Sequence, residues 1–167
     1  MNQKKNTLIS ILMAIVSFFT GCGHINSINN DHMSDIKTAE QMLEQIIGYL
    51  ESGDAEGIKG LLSENLLSKG KENIDDQINE IVAAFSGKKV DSYTVRCVSS
   101  SESYREGKRT YYRIRPEAEK LMLDTGEEYS LRMDYLVVDV NPRKVGIYWV
   151  DLKINDDEHL YIGKSGI

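Results

Sequence analysis

The chain has almost no thiol: two cysteines, Cys22 and Cys97, in 167 residues. A fold stapled by several disulfides is excluded, so apolar burial must hold the body together. Histidine is as sparse, with His24, His32 and His159 alone, and their spacing matches no metal motif. Cationic excess is missing too, because 26 acidic residues outnumber 20 basic ones and the formal charge is −6. Such a body repels polyanions on average, and nucleic acid is not an expected partner. There is no internal repeat and no low-complexity tract. No apolar run reaches the ~20 residues that a membrane-spanning helix needs; the longest, Leu8 to Phe19, has 12.

What is present is the composition of one ordinary domain, 28% charged and 41% hydrophobic, with the apolar residues concentrated at the N-terminus. Asn2 to Asn6 carry Lys4 and Lys5, and the apolar run follows directly. A basic head before a short apolar core is a signal-peptide profile. The next residues, Phe19-Thr20-Gly21-Cys22-Gly23, resemble the lipobox of bacterial lipoproteins: an apolar residue, two small ones, then the cysteine that receives diacylglycerol. That resemblance implies cleavage after Gly21, acylation of Cys22 with palmitate-type chains, and anchoring of the chain to the cell membrane, facing outside the cytoplasm. Several acyl chains give stable anchoring because each buried CH₂ contributes about 0.8 kcal/mol. Loss of Lys4 and Lys5 with the leader takes the formal charge from −6 to −8. Cys97 is then the sole thiol, in an alternating run from Tyr93 to Val98, and is expected to be buried and inert.

Residues 22–34 are rich in Asn, Ser and Gly, have no period, and read as a flexible tether after the leader of residues 1–21. From Asp35 the pattern turns helical: Ile36, Ala39, Leu43, Ile46 and Leu50 recur at steps of three and four. Thr38 and Gln41 offer a capping-box pair near the start. Gly53 ends this helix, and Asp54 caps a short one from about Ala55 to Leu62. A third, with Asn73 as N-cap, buries Ile74, Ile78, Ile81, Val82 and Phe85 and stops at Gly87.

The period then changes to two. Asp91-Tyr93-Val95-Cys97 alternates with polar residues, as does Tyr129-Leu131-Met133-Tyr135-Val137. Thr110 to Ile114 reads as a strand interrupted at Arg115-Pro116 and resumed at Leu121 to Leu123. Asn141-Pro142-Arg143-Lys144 is a turn into a last strand, Val145 to Ile154, apolar on both parities and therefore covered on both faces. Residues 156–167 read as a loose polar tail, in which Asp156-Asp157-Glu158-His159 lacks the spacing of a calcium loop. Helices followed by long antiparallel strands define an α+β class.

The stretch AEQMLEQIIGYLESGDAEGIKGLL, residues 39 to 62, resembles the opening of the nuclear transport factor 2-like, or ketosteroid isomerase-like, superfamily, where a long amphipathic helix ends in Gly-Asp before a short helix. EEYSLRMDYLVVDVNPRKVGIYWVDLKI continues the likeness, and with the lipobox the chain is similar to lipoproteins grouped as domain of unknown function 5104. The resemblance implies a cone-shaped, cystatin-like domain over residues 35–155, with N-terminal helices on a curved antiparallel sheet. It implies no reaction, because such folds host enzymes and binding modules alike.

Residues Tyr93, Tyr112, Tyr129, Met133, Tyr135 and Trp149 are the candidate lining of the cone's cavity. No residue is assigned a catalytic or metal-binding role, and no cofactor is expected. Asp134 falls opposite the apolar set of its strand and reads as a solvated charge; Asp91 reads as a strand-end charge. The basic and aromatic run Lys108 to Arg115 reads as a solvated alternating strand. The expected function is a non-catalytic domain that takes a small apolar ligand or docks another envelope protein, with the membrane as partner through the lipid. The alternative is an isomerase- or hydrolase-type enzyme using a strand carboxylate with Tyr. Oligomeric state is left open by the sequence.

Overall fold

The computed structural model describes residues 22–69 and 73–163, without the side chains of residues 22–30 and 69. The leader expected over residues 1–21 and the sulfur of Cys22 lie outside the described residues. Contacts divide the chain into two units, Met1–Asp35 and Ile36–Ile167. Of the first, residues 22–35 are described, and they are helical. They form the first part of α1 (Cys22–Ser52). The tether expected over residues 22–34 is thus helical backbone, and Thr38 and Gln41 sit inside the helix rather than at its start. Asn and Ser lower helix propensity by a few tenths of a kcal/mol each but do not stop a helix. No Gly or Pro interrupts the sequence between His24 and Ile47.

In the second unit, α1 ends where Gly53 takes φ 71° and the amide of Asp54 donates to the Tyr49 carbonyl at 2.8 Å. Asp54 then caps α2 (Ala55–Leu61), its carboxylate accepting from the amide of Gly57 at 2.8 Å. A further helix, α3 (Glu64–Lys69), was not anticipated; buried Ser63 caps it, its hydroxyl accepting from the amide of Leu66. Helix α4 (Ile74–Ala84) begins after Asn73, as the sequence suggests, although the Asn73 side chain makes no capping bond.

Five strands follow in an antiparallel meander, each paired with the next: β1 (Val90–Arg105), β2 (Lys108–Leu123), β3 (Glu128–Asp139), β4 (Gly146–Lys153) and β5 (His159–Gly163). At Arg115-Pro116, where an interruption was expected, β2 itself continues, but its pairing with β1 shifts: Cys97 stands opposite Pro116 and Ser99 opposite Arg115. Register with β3 runs unbroken from Ile114 opposite Tyr135 to Glu117 opposite Arg132, with Pro116 buried between them. A further irregularity comes at Lys120, whose φ of 49° marks a bulge that shifts the buried parity from Ile114 and Ala118 to Leu121 and Leu123. Residues read as a loose tail include β5, whose alternation was hidden in five residues; Ile162 is fully buried, and Leu160 packs against the core.

One sheet face carries Ile114, Leu131, Met133, Ile147, Val150 and Leu152 into a single core with Leu43, Ile46, Leu50, Ile58, Ile81 and Phe85 of the helices. At about 25 cal/mol per Å² of apolar surface removed from water, this layer is the main force holding helices to sheet. β4 explains its double parity through a further bulge. Asp134 pairs with Trp149 and Tyr135 with Ile147, so one extra residue, Tyr148, is accommodated. Ile147 and Val150 therefore face the core, while Tyr148 and Trp149 form a separate cluster with Leu136. That cluster lies on the outer face, where the polar side chains of β2 to β5 gather.

Candidate functional site

Period-two alternation means that burying Leu131, Met133 and Tyr135 obliges Arg132 and Asp134 to project from the other face. Antiparallel register then sets their neighbours. Arg96, Glu117, Arg132, Asp151 and Tyr161 stand opposite one another in turn across β1 to β5. In the adjacent row Asp134 stands opposite Trp149, and Trp149 opposite Gly163. Alternating charge along such rows is stabilising, as directly opposite like charges would not be.

Asp134 was expected to be solvated, yet it is fully buried. Its reason for ionised burial is Arg115, which grips it with two bonds: Nε donates to Oδ1 at 2.7 Å and Nη2 to Oδ2 at 2.8 Å. Arg113 adds a longer contact at 3.9 Å. A forked pair of this kind satisfies both carboxylate oxygens, which an isolated buried charge could not achieve. The hydrogen bond to Asp134 holds the Arg115 guanidinium above its already high pKa. The Arg115 guanidinium also lies 5.3 Å from the centre of the Trp149 ring.

Asp151 is clamped in a similar way. Arg132 Nη2 donates to its Oδ2 at 2.8 Å, and Nδ1 of His159 lies 2.8 Å from its Oδ1. His159 and Tyr161, two apart on β5, stack with ring centres 5.7 Å apart, and Tyr161 stacks on Trp149 at 6.4 Å. Together Arg115, Arg132, Trp149, His159 and Tyr161, with Gln77 from α4, border an open groove of ≈ 700 Å³ whose floor includes Asp151. Gln77 fixes the rim, its side-chain oxygen accepting from the amide of Gly163 at 3.0 Å. The indole Nε1 of Trp149 is buried and has no hydrogen-bond partner, as is Nε of Arg113. A smaller depression of ≈ 60 Å³ beside Ser63, Tyr111 and Tyr148 has room for a few waters. Burial pushes the Tyr148 phenol up, partly opposed by its hydrogen bond from Arg113.

The residues expected to line a cavity are distributed differently. Tyr112, Tyr129, Met133 and Tyr135 are buried in the helix-covered core, packed against apolar neighbours. Tyr93 is 38% exposed. Trp149 alone of the six borders the groove. Asp91 is exposed at the start of β1, and Cys97 is half-buried, its thiol pushed up by burial and by nearby Glu40. Among the described residues no three His, Cys, Asp or Glu side chains converge as a metal set, and no helix is long and apolar enough to cross a membrane. His159 and Tyr161 were missed because a five-residue strand gives too short an alternation, HLYIG, to separate from a tail. The signal for Asp134 was available: Arg113 and Arg115 share a parity on β2, as do Arg132 and Asp134 on β3, so pairing the strands brings opposite charges together.

The chain belongs to the family described as domain of unknown function (DUF5104), whose model matches residues 45–156. No curated protein matches it. The matched span covers α1 from Gln45 through β4 and stops short of β5. Arg115, Arg132, Asp134 and Asp151 therefore lie inside the family span, while His159 and Tyr161 lie beyond it.

Proposed function

We propose that the chain is an exported lipoprotein, acylated on Cys22, whose body is a nuclear transport factor 2-like binding domain held outside the cytoplasm. The anchor rests on Lys4 and Lys5, the apolar run from Leu8 to Phe19 and the small-small-Cys at its end. The fold assignment rests on helices followed by an antiparallel meander, with Gly53-Asp54 joining the first two helices. Binding rests chiefly on one observation: Asp134 and Asp151 are buried and spend their charge holding Arg115 and Arg132 in place beside Trp149 and Tyr161. Arginines fixed by buried acids at a groove rim lose little rotamer freedom when a ligand arrives. The ligand site is accordingly the outer face of the sheet rather than a cavity under the helices.

The second reading is an acid–base enzyme, and the pairing of His159 Nδ1 with Asp151 favours it. A carboxylate on Nδ1 orients the ring and leaves Nε2 to accept a proton. Binding is preferred because the groove is open to water and both oxygens of Asp151 are already bonded. Native mass spectrometry of the full chain extracted from its own membranes tests both. The expected spectrum shows an acylated chain carrying a bound small molecule, and unmodified Cys22 would defeat the anchor. If His159→Gln carries a ligand of different mass from the parent, a substrate has accumulated and the enzyme reading prevails.

A further inference from the structure

Resting on that binding site, the geometry points to a ligand class: we infer that the groove takes an oxyanion, a carboxylate or phosphate, carried on a flat or ring-shaped body. The reason is what each polar group has left to offer. Side chains of Asp134 and Asp151 are 0% and 3% exposed, and all four of their oxygens are already engaged. Asp134 is thus hidden from anything entering, and Asp151 reaches the groove floor with both oxygens already bonded. Arg115 and Arg132 keep 25% and 35% of their side chains exposed at the groove. Arg115 spends Nε and Nη2 on Asp134, and Arg132 spends Nη2 on Asp151, so each guanidinium has further N–H groups beyond those bonds. Tyr161 adds a phenol. A rim whose charged donors outnumber its accessible acceptors selects a ligand that is mostly acceptor.

Charge points the same way. Arg115 and Arg132 keep part of their charge exposed at the groove, while the aspartates that balance them are buried. An anion in the groove therefore meets exposed guanidinium edges, even though the protein as a whole repels it at a distance. The flat body follows from Tyr161, 42% exposed and stacked between the ring systems of His159 and Trp149. A planar ligand extending off the oxyanion packs against the exposed part of this aromatic row.

Trp149 is the one tryptophan of the chain, so its emission reports on this groove alone. The full chain in detergent is titrated at constant ionic strength with benzoate, benzamide and inorganic phosphate. A saturable change with benzoate and none with benzamide is expected; response to phosphate as well would mark the oxyanion itself, without the ring, as sufficient. Arg132→Lys keeps the charge beside Asp151 but loses the planar fork, and should weaken benzoate binding about tenfold. Tyr161→Ala, at a position 42% exposed, should weaken benzoate about fivefold and leave phosphate unchanged. An equal response to benzamide and benzoate overturns the oxyanion and leaves the binding reading standing. No saturable response to any of the three overturns the inference, and the ligand recovered from the membrane chain then judges the binding reading separately.

Discussion

Asp151 accepts from Arg132 through one oxygen while its other lies 2.8 Å from Nδ1 of His159, joining β3, β4 and β5 across a single buried carboxylate. The same logic joins Arg115 to Asp134 one row away. These two acids are the structural reason that an acidic protein can present ordered arginines on one sheet face, and their removal has calculable consequences.

Asp134→Ala strands Arg115 without its counter-charge, and Arg115→Ala strands a buried carboxylate. Arg115→Ala is expected to cost about 3–5 kcal/mol, measured by urea unfolding, because it leaves a fully buried charge without its main partner, and Asp134→Ala less, because Arg115 is 25% exposed. The double replacement Asp134→Leu with Arg115→Met should recover most of that loss. A double variant as unstable as the worse single one would show that packing, rather than charge, sets the cost.

Gly163 ends β5 with φ 79°, and an added Cβ would lie 2.6 Å from the carbonyl oxygen of Tyr148. Gly163→Ala is therefore both strained and clashing, and should destabilise by about 1–3 kcal/mol. Amide exchange should rise first in β5, which packs on α4 through Ile162 and is bonded to Gln77. Unchanged protection of Ile162 would count against this attachment.

Lys88 bridges Glu127 and Tyr129, bonding to the Glu127 carboxylate at 2.9 Å and to the phenol oxygen at 2.7 Å. The hydrogen bond from Lys88, with help from Thr125, lowers the Glu127 pKa to about 2, and the bonds to Glu127 and Tyr129 raise that of Lys88. A depressed carboxylate contributes stability above its unfolded pKa near 4.5, and that contribution disappears as pH falls through about 2. The raised lysine contributes below its ordinary pKa of 10.5 and loses this above the folded value. Lys88→Met should return the Glu127 carboxyl toward 4.5 in a carbon-detected NMR titration. A titration unmoved by that change would remove the pairing.

Much of the fold was legible because apolar period tracks burial. Ala39, Leu43, Ile46 and Leu50 are all buried, as the step of three and four requires. Asp54 caps where a capping residue follows a left-handed Gly. What escaped was set by register and by bulges, which leave no period of their own. Tyr148 and Trp149 reach the outer face together only because β4 carries an extra residue there. Pro116 sits inside a strand because its pairing with β3 is continuous, while the register with β1 shifts beside it. Asp134 looked solvated by parity, and parity was right about its face; the neighbouring strand's arginines, invisible in one strand's pattern, decided its burial.

The most direct test places the ligand on one face of the sheet or the other. The full chain is recovered from its own membranes as Tyr161→Ala, on the groove side, and as Met133→Leu, a volume-conserving change on the helix side, and the mass of whatever remains bound is read in each. Loss of the bound molecule with the tyrosine change and its retention with the methionine change is the predicted pair. The opposite pair would move the site beneath the helices and contradict the account.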